Sequence, residues 1–289
     1  MDSGPRNSAV PRLLLVTAAL LFSTGGAVIK AIALGPWALA SLRAGIAAVA
    51  LVVLVPETRR RWSWRVWPVG AAYAAMLALF VLANKLTTAA NAIFLQSTAP
   101  LYLLLLGPWL LRERLARRDW FFAAAVAAGM GVLFLGTETV AATALDPALG
   151  NLVAAANGVC WALTLTGFRW LSRSPERGSP ASAAVAGNLI AFVVCLPLAL
   201  PLGPVSTHDV LALVYLGVVQ IGLAYACLTR AVRYVPAFET SALLLIEPVL
   251  NPVWAWALHG ERPSGHAVAG GAIILVAILL HTWRGRRGE

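Results

Sequence analysis

Ten apolar runs of about 20 residues each dominate the sequence, and their length constrains the fold more than any other feature. A helix rises about 1.5 Å per residue, so such a run covers the roughly 30 Å of a bilayer's hydrocarbon core. Hydrocarbon offers no partner for backbone N–H and C=O groups, so each run is predicted to close its own ladder as a helix. The predicted spans are Leu13–Ala33, Pro36–Val55, Val66–Ala83, Ala92–Leu111, Trp120–Gly136, Leu149–Leu171, Ala181–Leu202, Val210–Thr229, Ala237–Leu258 and His266–Trp283. The connecting segments are short, which leaves no room for a soluble domain. Only 12% of residues are charged, about half of what a water-soluble domain carries. The partner implied for most of the surface is the lipid bilayer.

The net charge of +10 invites a nucleic-acid reading, but the basic residues sit in short loops between apolar runs, so nucleic acid is not expected as a partner. Their distribution sets orientation instead. With a cytoplasmic N-terminus, Arg6, Arg12, Arg59, Arg60, Arg61, Arg65, Arg112, Arg114, Arg117, Arg118, Arg173, Arg177, Arg230, Arg233, Arg284, Arg286 and Arg287 all fall on the cytoplasmic side. That is seventeen residues, against Lys85 and Arg262 on the other side. The alternation survives all ten spans and puts both termini in the cytoplasm. Trp62, Trp64, Trp67, Trp120 and Trp283 fall near the predicted interfaces, and Trp161 lies deep in the sixth span. Cys160, Cys195 and Cys227 lie within apolar runs as packing residues. The four histidines lie at or near helix ends, and neither a metal site nor a cofactor is expected. No cleavable signal peptide is expected, since the first apolar run is followed at once by another.

The chain also repeats itself. Shifted by 148 residues, Pro100 falls on Pro248, Glu113 on Glu261 and Arg114 on Arg262; a shift of 139 lays Phe22 on Trp161 and Lys30 on Arg169. Each half reads as five helices, and an odd number turns the second half upside down, an architecture common among secondary transporters. The predicted fold is an all-α membrane protein with ten transmembrane helices in a 5+5 inverted-repeat bundle. It divides into a cytoplasmic tail (1–12), a first repeat (13–136), an extracytoplasmic connecting loop (137–148), a second repeat (149–283) and a second cytoplasmic tail (284–289).

Ionisable and polar groups are costly inside hydrocarbon and mark candidate sites. Glu247 is about ten residues into the ninth span, roughly 15 Å deep. It shares a helix face with Asn251 and Trp254, and Pro248 and Pro252 interrupt the same helix and free carbonyls. Glu247 either hosts solute or a proton, or is a structural hydrogen-bonding group beside a kink. Asn157, Trp161, Thr164 and Phe168 share one face of the sixth span, as solute contacts or as helix–helix packing. Tyr73, Met76, Phe80 and Asn84 form a similar stripe on the third span. Gln96 lies one turn from Pro100 beside Ser97 and Thr98, and Gln220 and Tyr225 are polar groups within the eighth span.

The predicted binding set is Asn157, Trp161, Glu247, Gln96, Phe80, Met76, Tyr225 and Gln220, with Gly25, Gly26, Pro100 and Pro248 as hinges. The Ser23 and Thr24 hydroxyls are expected to bond back to their helix or to line a cavity. Lys30 and Arg43 are read as snorkelling, structural residues near span ends. Glu113 and Glu261 are read as local caps or pairs.

Several stretches carry a family resemblance: "SLRAGIAAVALVV" around Arg43, "LLRERLARRDWFFAAAVAAGMGVLFLG", "LHGERPSGHAVAGGAIILVAILL" and "LLLIEPVLNPVWAWAL". They resemble the EamA-type ten-helix members of the drug/metabolite transporter superfamily, over nearly the whole chain. The resemblance implies a central cavity, alternating access and a bacterial inner-membrane location. It implies a gradient-driven carrier that exports small amphipathic metabolites, with amino acids, aromatic or hydrophobic ones among them, as the favoured substrates. The alternatives are a multidrug or lipophilic-cation exporter, or a carrier of sugars or nucleotide derivatives. The small-carrier version with a carboxylate in the first span is disfavoured, because that span has none. An enzyme is not expected: HExxH, paired carboxylates on one helix and a deep Ser/His combination are all missing. No GxxxxGK[ST] phosphate loop occurs, so ATP coupling within the chain is disfavoured as well. The expected assembly is a monomer or weak homo-oligomer that binds a small-molecule substrate.

Overall fold

A computed structural model describes residues 9–87, 89–112, 117–135, 145–259 and 265–287. The described residues form ten helical rods and contain no strand. In chain order they are α1 (Ala9–Ser23 and Gly25–Ala31), α2 (Pro36–Leu54), α3 (Val66–Leu86), α4 (Ala89–Gln96, Ala99–Leu106 and Gly107–Leu111) and α5 (Arg117–Leu135). The second set is α6 (Pro147–Ser172), α7 (Pro180–Ala199), α8 (Thr207–Val214, Tyr215–Leu223 and Ala224–Ala231), α9 (Ala237–Leu244 and Ile246–His259) and α10 (Gly265–Arg287). Each coincides with one apolar run of the sequence. Six of them are long and apolar enough to cross a bilayer, and α4, α5 and α10 hold shorter apolar stretches. Outward faces carry exposed Leu13, Val49, Val53, Leu105, Val193 and Leu211, a surface suited to lipid rather than water. The chain is a multi-pass membrane protein.

Local chemistry sets many helix starts. Pro36, Pro147 and Pro180 open α2, α6 and α7, where the missing N–H costs nothing. Asp146 accepts from the Leu149 N–H at 3.0 Å and Ser179 from the Ala181 N–H at 3.2 Å, while Ser206 and Asp209 form a reciprocal capping box before α8. The last helix departs from expectation: α10 runs on to Arg287, past the predicted end at Trp283, with three arginines that favour a helix outweighing Gly285. Most of the predicted 137–148 loop, and Glu113 and Glu261, lie outside the described residues.

Helices approach closely where small residues meet. A Cβ on Gly187 of α7 would lie 2.4 Å from Tyr73 Cδ1 and 2.5 Å from the Gly70 carbonyl of α3. Ser41 of α2 donates to the Phe192 carbonyl of α7 at 2.9 Å. On the periphery, a Cβ on Gly129 of α5 would meet Ile274 of α10 at 2.8 Å. Such contacts replace the hydrophobic drive that lipid cannot supply between helices.

The arginine-rich end is tied by charge. Arg12 on α1 pairs with Glu239 on α9 at 2.8 Å. Arg169 lies within a span, yet its guanidinium reaches the Val232 and Arg233 carbonyls at 2.9 and 2.7 Å, and Arg173 donates to the Leu111 carbonyl that ends α4. Arg233 and Ser179 both donate to Glu57 in the α2–α3 connection. Burial pushes the Glu57 carboxyl up, but the Arg233 hydrogen bond and charge, with help from Ser179 and Arg60, hold it below its ordinary value. At the opposite end Lys85 donates to the Ile32 carbonyl at 2.9 Å, Lys30 to the Thr87 carbonyl at 3.4 Å, and Asp209 accepts from the Ala33 N–H at 3.3 Å.

Candidate functional site

Four of the ten rods are interrupted near mid-depth, each with a local cause. In α1 the ladder breaks at Thr24, where Ser23 and Thr24 hydroxyls bond back to the Leu20 and Leu21 carbonyls at 2.7 and 2.8 Å. In α4 it breaks at Ser97–Thr98, where hydroxyls bond back to Ile93 and Leu95 at 2.6 Å each and Pro100 opens the next segment. The α9 rod breaks at Leu245, just before Pro248. Within α8, residues Tyr215–Leu223 widen into a π-helix, a form concentrated at functional sites. Polar cross-links hold the α1 break: Thr24 shares a hydrogen bond with the Tyr215 hydroxyl at 2.9 Å, and Trp254 of α9 donates to Ser23 at 2.7 Å.

The interruptions converge on one cavity of about 30 Å³, lined by Phe22, Arg43, Met76, Leu77, Phe80, Gln96, Trp161, Gln220, Ile221, Tyr225 and Glu247. Phe22, Gln96, Gln220 and Glu247 each lie in or within two residues of an interruption. Ile221 and Tyr225 come from the same α8, and the uninterrupted α2, α3 and α6 supply the rest, so both halves of the chain contribute.

An aromatic cluster packs against the cavity. Tyr225 is its hub, with ring centroids 5.0 Å from Phe22, 4.6 Å from Tyr73, 6.3 Å from Phe168 and 6.3 Å from Trp161, all at steep angles. Such edge-to-face pairs are each worth about 0.5–1.5 kcal/mol beyond their burial. The Tyr73 hydroxyl accepts from Asn188 at 3.3 Å.

Polar groups facing the cavity are incompletely matched. Gln96 Nε2 has only the Met76 sulfur at 3.8 Å, and Gln220 Oε1 is buried without a partner. A Cβ on Gly25 would lie 2.6 Å from Gln220 Nε2, so a side chain there would displace the Gln220 amide. Glu247 is half-buried in the wall. Among the described residues no cluster of three His, Cys, Asp or Glu side chains could hold a metal ion.

Seven of the eight predicted binding residues line this cavity: Trp161, Glu247, Gln96, Phe80, Met76, Tyr225 and Gln220. Asn157 stands apart. It is fully buried one turn from Trp161 with both amide atoms unpaired, and α4 covers it, since a Cβ on the adjacent Gly158 would lie 2.7 Å from the Leu95 carbonyl. The predicted hinges fall beside real interruptions: Gly25 and Gly26 just after Thr24, Pro100 and Pro248 two to three residues after theirs. The Asn251 side chain lies outside the described part of the structure.

Four lining residues stood outside the predicted binding set: Phe22, Leu77, Ile221 and, above all, Arg43. Arg43 does not snorkel. It is 1% exposed, donates to the Leu77 carbonyl at 3.2 Å, and places its guanidinium carbon 5.9 Å from the Phe80 ring centroid. Its position eight residues into α2, about 10 Å from the helix end, was the available signal.

A many-helix membrane bundle with interrupted helices around a central cavity is an architecture shared by many secondary transporters. The comparisons are specific on this point. The family model described as the EamA-like transporter family matches residues 11–135 and again residues 148–283, and the chain belongs to that family. An uncharacterized transporter of Methanothermobacter thermautotrophicus is 26% identical over 213 residues, 72% of this chain; the chain spans 61% of that relative's length. A solved crystal structure superposes with a TM-score of 0.74 at 24% identity, covering 94% of this chain and 98% of the other, which shows a shared fold.

Proposed function

We propose that the protein is a gradient-driven, alternating-access carrier that exports small amphipathic metabolites, with amino acids as its substrates. The observation that carries this reading is the central cavity. It combines a carboxylate (Glu247), two amides (Gln96, Gln220) and an aromatic-aliphatic wall at the meeting point of four helix interruptions. A zwitterion with an apolar side chain needs that mixture. At about 30 Å³ the cavity has room for roughly two waters, so an amino acid requires the helices to part, and the interruptions are where they can bend.

The 5+5 inverted arrangement is supported by the two family matches. It is supported too by the α4 break at Ser97–Thr98, which falls on the α9 break at Leu245 under the same shift that lays Pro100 on Pro248. The arginine excess favours the arginine-rich end, with both termini, as cytoplasmic in a bacterial inner membrane.

A lipophilic-cation exporter is the second reading, favoured by Glu247 beside aromatic rings. The buried Arg43 in the same wall opposes it, since like charges in a low dielectric repel strongly. Cells carrying the gene should grow on toxic aromatic amino-acid analogues that stop control cells, and gain no resistance to lipophilic cations. The reverse pattern would select the second reading.

A further inference from the structure

Arg43 is a buried cation whose hydrogen bonding is incomplete. A guanidinium has five N–H donors. Arg43 uses one in its bond to the Leu77 carbonyl, and its Nε is buried without any partner. The carboxylate that could neutralise it, Glu247, lines the same cavity, yet among the described residues the two form no ion pair. Removing a charge and its donors from water costs several kcal/mol unless an anion or acceptor takes water's place. The fold therefore holds Arg43 and Glu247 on one cavity wall without an ion pair between them, and the guanidinium lacks a full complement of acceptors.

We infer that Arg43 is the receptor for the substrate's carboxylate, with Glu247 receiving the ammonium group and the Phe22, Trp161 and Tyr225 rings receiving the side chain. This rests on the amino-acid reading above and sharpens it to α-amino acids with bulky apolar side chains. The planar guanidinium fork matches a carboxylate in two parallel bonds, which an ammonium cannot do. Its tie to Leu77 and its stacking on Phe80 fix the fork's direction before a solute arrives, so little side-chain entropy is lost on binding.

The test uses full-length protein in detergent micelles and competition against labelled L-phenylalanine. The competitors are unlabelled L-phenylalanine, phenethylamine (no carboxylate) and 3-phenylpropionate (no ammonium). In the wild type, phenethylamine should bind about 30-fold more weakly than L-phenylalanine. In R43Q, L-phenylalanine and 3-phenylpropionate should each weaken by about 30-fold, while phenethylamine stays within about twofold. R43K keeps the charge but loses the fork; it should cost the two carboxylate ligands roughly three- to tenfold and spare phenethylamine. That variant and the wild-type series decide the matter should R43Q fail to fold. A purely structural Arg43 would weaken all three ligands alike in either variant, or leave their ratio unchanged, and either result overturns the inference while the amino-acid reading stands. Failure of the wild type to bind any of the three overturns both.

Discussion

The arginine-rich end of the bundle and its centre treat polar groups in opposite ways. At the end, Arg12, Arg169, Arg173 and Arg233 each reach a carboxylate or a backbone carbonyl, and each contact ties one segment to another distant in sequence. At the centre, the Nε of Arg43 and the Oε1 of Gln220 are buried with nothing to bond, and Glu247 stands in the wall of a small cavity. Native structures complete nearly all buried polar groups. Arg233 Nε at the arginine-rich end is orphaned as well, but Arg43 Nε and Gln220 Oε1 belong to the wall of a cavity where helices are interrupted, a place that a bound solute can complete. In the proposed reading, charge at the end holds the fold and charge at the centre receives solute.

Substitutions can break this contrast. The largest effect is expected at Glu247: E247Q in reconstituted vesicles should lower the initial rate of amino-acid uptake about 30-fold or more, with the melting temperature near that of the wild type. Undiminished uptake would move Glu247 to the structural side of the comparison. Next comes Trp161, where W161A should cost bulky side chains about tenfold in affinity and small ones less than about threefold, because only the former bury area against the indole. An equal loss across substrates in a binding series would make Trp161 a packing residue.

At the arginine-rich end E239Q should do the reverse. Breaking the Arg12–Glu239 pair should change stability by less than about 1 kcal/mol and leave affinity within about twofold; a loss of binding would erase the contrast.

The smallest effect is a pH slope at Glu57. Its folded-state carboxyl titrates below the ordinary value of 4.5, so its contribution is present at neutral pH and lost as pH falls through that folded-state value. The group is partly exposed, so this contribution is below about 1 kcal/mol. Melting curves from about pH 7 to about pH 3 should show wild type and E57Q converging in acid, and parallel curves would remove the Glu57–Arg233 contact from the stability account.

Much of this was legible in the sequence, because hydrocarbon reads length and charge directly. The ten rods follow the ten apolar runs, and Pro100 and Pro248 announced the breaks in α4 and α9. The break positions were less legible. Each falls two or three residues ahead of its proline, where hydroxyls at Ser97 and Thr98, or the turn at Leu245, end the preceding ladder. The widening of α8 at Tyr215–Leu223 had no signal in composition, since it depends on how α8 packs around α1 and α2. Arg43 was misread for the same reason. A long basic side chain near a span end usually escapes to water, and its containment depends on Leu77 and Phe80, more than 30 residues away. Asn157 was placed on the right helix face, but the approach of α4 over Gly158, which covers it, is a tertiary fact.

Counterflow is the most direct check on the division between centre and end. Vesicles holding purified protein and unlabelled L-phenylalanine would be diluted into a trace of labelled L-phenylalanine, for wild type, E247Q, R43Q and E239Q. Saturable accumulation in the wild type and E239Q, and none in E247Q or R43Q, is the predicted result. Accumulation by all four proteins alike, or a wild type that exchanges lipophilic cations and no amino acid, would contradict it.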